Sequence, residues 1–173
     1  MLQVRTAAPE FDVEAYVGGE TKHVSLKQYR GKWVVLFFYP RDFTFICPTE
    51  LKGFATSESE FTALNAVLVG ASTDSAFAHK AWFERDLPMV TYPVLADTTH
   101  SVSRDYGVLL EDSGEALRGT FIIDPDGVLR YSVISDLNVG RSVDETLRVV
   151  KALQTGELCP IEWKPGETTL GKA

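Results

Sequence analysis

Tyr39-Pro40-Arg41-Asp42-Phe43-Thr44-Phe45-Ile46-Cys47-Pro48-Thr49-Glu50-Leu51 joins the most apolar strand signal in the chain to a helix start, and it places one of only two cysteines at that junction. Upstream, Trp33 to Tyr39 is unbroken by any polar residue. Such a run suits a strand buried on both faces and is too short for an ordinary helix, which predicts a mid-sheet position. Downstream, Pro48 fits the first helical position, where no backbone N–H is needed, and Glu50 suits the positive end of the helix dipole. Cys47 is therefore expected near a helix N-terminus. A free thiol is mostly protonated at neutral pH, and a helix N-terminus or a nearby cation favours the nucleophilic thiolate. A lone cysteine is also often a small buried hydrophobe, so position alone leaves both readings open.

Outward from this stretch, Phe11 to Tyr16 and Lys22 to Leu26 flank Gly18-Gly19 and predict an N-terminal hairpin. Ser25 to Gly31 predicts a short helical turn. After the motif, Leu51, Phe54 and Ala55 recur at helical spacing, and Ser57-Glu58-Ser59-Glu60 has a capping-box pattern. Two helical pieces or one helix kinked near Gly53 both satisfy this. Ala66 to Ala71 reads as a buried strand, followed by a helix capped within Ser72 to Ser75 and running through Phe77, Ala81 and Trp82. Trp82 and Phe83 resemble a stacking pair, yet adjacent helical residues point in different directions, so they are assigned to the core. Tyr92 to Leu95 predicts a short strand, Asp97 to Thr99 a helix cap, and Gly107 a helix end. Thr120 to Ile123 and Val128 to Ile134 flank Asp124-Pro125-Asp126-Gly127 and predict an antiparallel hairpin. Arg118 lies just before it, where a lone charge reads as a solvated edge residue. Arg141 precedes a helix opened by the capping box Ser142 to Glu145 and closed by Gly156. Buried strands with crossover helices and a hairpin give an α/β fold with a mixed sheet. We divide it into a domain over residues 1–156 and a mobile tail over residues 157–173, which carries Cys159, Pro160 and Pro165.

The 173 residues, 45% hydrophobic, suffice for one sizeable core. A net charge of −7 argues against nucleic acid or an anionic membrane surface as the main partner. The N-terminus lacks an apolar h-region and no stretch is long enough to span a membrane, which predicts a cytoplasmic protein. Two cysteines make no disulfide framework, and in the cytosol such a pair is more often catalytic or sensing. His23, His79 and His100 show no spacing with each other or with the cysteines that suggests a metal, so they read as surface or core residues.

Pro40, Thr44 and Cys47 have the Pro-x-x-x-Thr-x-x-Cys spacing of peroxiredoxins, and Phe43 to Glu50 resembles the bacterial alkyl hydroperoxide reductase subunit and its typical two-cysteine relatives. The resemblance continues through Arg118 to Asp124, Val139 to Leu147 and Gly156 to Pro160. It implies a thioredoxin-like fold and thiol-dependent reduction of peroxides without a cofactor. It further implies Cys47 as the peroxidatic cysteine, Pro40 shielding it, and Thr44 hydrogen-bonding the sulfur and the substrate oxygen. Arg118 matches the family's active-site arginine, Glu50 and Arg141 the residues that organise it, and Cys159 the resolving cysteine. The implied partners are a peroxide, a dithiol protein reductant such as thioredoxin or a dedicated flavoprotein, and a second subunit, in dimers that often form rings of ten.

In chemical terms, a Cys47 thiolate attacking an O–O bond leaves a sulfenic acid, and a second thiol condenses with it to a disulfide that a reductant reopens. Sequence geometry leaves open whether Cys159 comes from the same chain or from a partner. An arginine suits the developing oxyanion better than a lysine because its planar fork contacts two atoms at once. A thioredoxin-like oxidoreductase is a weaker reading, since Cys47-Pro48-Thr49-Glu50 lacks a second thiol. A redox-sensing or chaperone-like oligomeric module is the non-enzymatic alternative. Sensitive members of the family carry a Gly-Gly-Leu-Gly loop and a C-terminal Tyr-Phe helix. Phe83 to Val94 has no glycine and the tail no Tyr-Phe pair, which predicts resistance to overoxidation.

Overall fold

The structure, a computed structural model, describes residues 2–172. Two compact units divide after Arg141.

In the first unit, strand β1 (Asp12–Val17) and strand β2 (Glu20–Ser25) form the expected hairpin. Gly18 and Gly19 both have positive φ at its turn, the conformation that gives a two-residue loop the twist of its strands. A 3-10 turn, Leu26–Tyr29, leads to β3 (Trp33–Phe38). Helices α1 (Cys47–Thr56) and α2 (Glu58–Ala63) follow, then β4 (Ala66–Ser72), α3 (Ala76–Asp86), β5 (Val94–Ala96) and α4 (Ser101–Asp105). A small two-stranded sheet, β6 (Leu109–Leu110) with β7 (Glu115–Ala116), precedes the hairpin of β8 (Arg118–Ile123) and β9 (Leu129–Ser135).

The main sheet runs β2-β1-β5-β4-β3-β8-β9. Strand β3 pairs parallel with β4 and antiparallel with β8, so it is internal and the sheet is mixed. Both faces of β3 are covered, which explains why its sequence does not alternate. Leu36 and Phe38 join a cluster with Tyr106 and Phe121 on one face. On the other, Phe37 stacks on Phe54 and meets Tyr92 edge-on, at centroid separations of 4.2 and 5.8 Å. Each fully buried side chain of this kind contributes roughly 1.5–3 kcal/mol.

Several expectations need correction. Of the two readings left open for the helix after the motif, the structure has two pieces, divided at Ser57, while Gly53 lies inside α1. Ser57 starts α2 without a side-chain cap bond. The β6–β7 pair was not foreseen, because two-residue strands show no periodicity. Trp82 and Phe83 are both buried, as their core assignment requires.

The second unit contains α5 (Val143–Thr155), capped by the Ser142 hydroxyl, which accepts from the Glu145 N–H, and ended by Gly156 at positive φ. The tail was expected to be mobile, but it has internal structure. Leu158 donates its N–H to the Gly171 carbonyl and accepts from the Leu170 N–H, while the Trp163 indole donates to the Glu167 carbonyl. Its prolines prevent a helix without preventing these turns. Among the described residues no helix follows α5, and no helix is long and apolar enough to cross a membrane.

Candidate active site

Strand β3 delivers the chain into Tyr39–Leu51, and α1 begins at Cys47 itself, with Pro48 second rather than first. Either position is free of an intrahelical N–H requirement. The antiparallel register Phe37↔Thr120 brings the first residue of β8, Arg118, to the end of β3 where α1 starts. Cys47, Glu50 and Arg118 thus converge although their order along the chain keeps them far apart.

Arg118 is buried, which overturns the solvated-edge reading. Its Nη1 donates to Cys47 Sγ at 3.5 Å and to Glu50 Oε2 at 2.6 Å, and its Nε donates to the Leu137 carbonyl at 2.9 Å. Arg141 holds the other side of the same carboxylate: its Nε and backbone N–H donate to Glu50 Oε1 at 2.9 and 3.0 Å. Its Nη1 donates to the Gly119 carbonyl and to Thr120 Oγ1, and its guanidinium lies 5.4 Å from the Phe37 ring centroid. A Cβ at Gly119 would stand 2.7 Å from both Phe121 and Val108, so only glycine lets β8 run where that carbonyl meets Arg141. Two guanidiniums against one carboxylate leave one surplus positive charge in a buried cluster beside the sulfur.

A cavity of about 330 Å³ is lined by Cys47 and Arg118 together with Pro40 and Thr44. Phe45, Ile46 and Leu137 add apolar wall, and Arg41 and Glu115 an ion pair. Pro40 is buried. Thr44 differs from expectation: its hydroxyl donates to the Arg41 carbonyl at 2.9 Å, a local turn bond, instead of to the sulfur. Cys159 lies in the second unit just past α5, half-buried, with its Sγ 3.6 Å from Thr155 Oγ1 and 3.9 Å from the Ala152 carbonyl. Both cysteines are free thiols.

Sequence reasoning missed a second buried polar group next to this site. The Tyr39 hydroxyl donates to Asp42 Oδ1 at 2.8 Å, His79 Nδ1 lies 2.7 Å from Asp42 Oδ2, and His79 Nε2 lies 3.1 Å from the Leu95 carbonyl. Burial pushes the Asp42 carboxyl above its ordinary range, while the hydrogen bond and charge of His79 pull it back. Burial, reinforced by Asp42, also pushes the Tyr39 hydroxyl up. His79 was read as surface or core; it is core, and only tertiary folding reveals its partner. No group of three metal-ligating side chains is assembled among the described residues.

The model of the AhpC/TSA family matches residues 4–132. The chain is 55% identical over 172 residues to peroxiredoxin prdx-2 of Caenorhabditis elegans, covering 94% of this chain and 86% of that one. It is 53% identical over 171 residues to a thioredoxin peroxidase of Echinococcus granulosus, covering 94% and 89%. Among solved structures, the reduced 2-Cys peroxiredoxin of Plasmodium vivax superposes with a TM-score of 0.94 at 36% identity, over 98% of this chain and 93% of that one. With a thioredoxin-like mixed sheet holding a buried cysteine beside an arginine, the chain belongs to the AhpC/TSA family and is a peroxiredoxin, a thiol-dependent peroxidase.

Proposed function

We propose that Cys47 is the peroxidatic residue and reduces hydrogen peroxide and organic hydroperoxides. The observation that carries this is the surplus positive charge beside Sγ at the wall of the cavity, since a thiolate neutralises it and a thiol does not. The thiolate attacks one peroxide oxygen; the S–O bond forms, the O–O bond breaks, and the departing oxygen takes a proton to leave as water or an alcohol. Cys47 is left as a sulfenic acid. Arg118 contacts the sulfur and stabilises charge developing on the leaving oxygen. Glu50, clamped between Arg118 and Arg141, fixes the guanidinium's plane, and Pro40 and Thr44 shape the approach. Thr44 also offers its hydroxyl oxygen to the peroxide.

Cys159 resolves the intermediate. Its thiol condenses with the sulfenic acid, an S–S bond forms and water leaves; a dithiol protein, thioredoxin or a dedicated flavoprotein, then supplies two electrons to restore both thiols. Cys159 comes from a second subunit of a homodimer, and dimers can associate further into rings. The reaction proceeds in the cytoplasm with residues 1–156 as the catalytic domain and 157–173 as the resolving tail. Resistance to overoxidation is supported by the absence of any helix after α5 among the described residues.

The test is intact-mass analysis under non-reducing conditions after one equivalent of peroxide. A covalent dimer joined through Cys47 and Cys159 is expected, and it should vanish in Cys159→Ser, which still consumes a single equivalent. A Cys159→Ser protein that keeps the same covalent dimer, or a native protein that stops after one oxidation per chain despite a dithiol reductant, overturns the reading. After many turnovers, the fraction of Cys47 present as sulfinic acid should remain small.

A further inference from the structure

The cavity has one charged feature that the thiol chemistry does not use. Arg41, directly after Pro40, donates from Nη2 to Glu115 Oε2 at 2.6 Å. Glu115 sits on β7, opposite Leu110 of β6, so the small unforeseen hairpin presents its carboxylate to the motif. The side chains are 54% and 18% exposed, which puts the guanidinium within reach of solvent and holds the carboxylate against it. Both line the same cavity as Cys47. The pair sums to zero charge, and the neighbouring walls at Phe45, Ile46 and Leu137 are apolar.

A peroxide reacting at Sγ must place its O–O group by Cys47 and Arg118, which leaves its substituent to extend along the remaining wall. Resting on the thiol-peroxidase reading, we propose that the Arg41–Glu115 pair is a charge filter that sets which substituents are accepted. Glu115 neutralises Arg41, so an uncharged apolar substituent meets a wall without net charge. A carboxylate on the substituent finds the nearest outer cation already occupied. Removing Glu115 turns Arg41 into an anion-binding group; removing Arg41 leaves an unpaired carboxylate that repels anions.

The experiment measures second-order rates of Cys47 oxidation with a fatty-acid hydroperoxide and with its methyl ester, in the native chain, Glu115→Gln and Arg41→Gln. The acid-to-ester ratio should rise about threefold in Glu115→Gln and fall about threefold in Arg41→Gln at low ionic strength, and both shifts should shrink in salt. The opposite signs exclude a purely mechanical tether, since loss of a tether moves both variants the same way. Ratios that stay fixed, or that move together, overturn the proposal. Hydrogen peroxide turnover by the native chain is read in parallel: if it is absent, the thiol-peroxidase reading fails, whereas normal turnover with unmoved ratios refutes only the filter.

Discussion

Two polar clusters are buried around Tyr39–Leu51, and they differ in how closed they are and in what they face. Asp42 and His79 form a carboxylate–imidazole pair satisfied by Tyr39 and the Leu95 carbonyl. Glu50, Arg118 and Arg141 carry one surplus positive charge, and Arg118 lines a cavity with Cys47. Burial of ionisable groups does not by itself mark a reactive centre. A closed pair with every polar atom bonded holds the fold, whereas an uncompensated charge at a cavity wall is a demand for an anion.

Cys47→Ser should abolish peroxide consumption while leaving the circular dichroism of the fold intact; near-native turnover would contradict the assignment. His79→Leu strikes the closed cluster and should leave Asp42 buried without its partner. We expect a loss of about 3–5 kcal/mol in stability by urea unfolding. Turnover of the folded fraction should persist, and total loss of activity without loss of stability would erase the distinction drawn between the clusters.

Arg118→Lys keeps the charge but loses the planar guanidinium that is fixed at Nε by the Leu137 carbonyl while Nη1 reaches both Cys47 and Glu50, and it should lower the second-order rate with hydrogen peroxide about 10²-fold. Arg141 reaches Glu50 and not the sulfur, so Arg141→Lys should cost less, about tenfold. Stopped-flow rates that reverse this order would move the organising role to Arg141.

The smallest effect concerns pH. The Asp42 carboxyl is held above its unfolded value by burial, so its contribution to stability is fully present below the unfolded carboxylate range, near pH 4, and is lost as pH rises through the folded value. The stability gap between the native chain and Asp42→Asn should therefore narrow as pH increases from about 4. Unfolding curves at constant ionic strength measure it, and a widening gap would mean that the His79 partnership outweighs desolvation.

Local sequence determined the elements where one signal acts over a few residues: the strand Trp33–Phe38 from its apolar run, the two glycine-turned hairpins from their turn chemistry, and α5 from Ser142 and Gly156. It also identified Cys47 at a helix start, because strand length and proline position are properties of neighbouring residues. The family motif extended the candidate list to Pro40, Thr44, Glu50, Arg118, Arg141 and Cys159. Tertiary structure alone decided what those side chains touch. Arg118 became buried because the register of β8 on β3 carries it to the mouth of α1, and the Thr44 hydroxyl is taken up by the Arg41 carbonyl three residues back. The Asp42–His79 pair and the Arg41–Glu115 bridge each join residues far apart in the chain. No periodicity or cap encodes such a contact; it exists only once strand pairing and helix packing have fixed the positions of both ends.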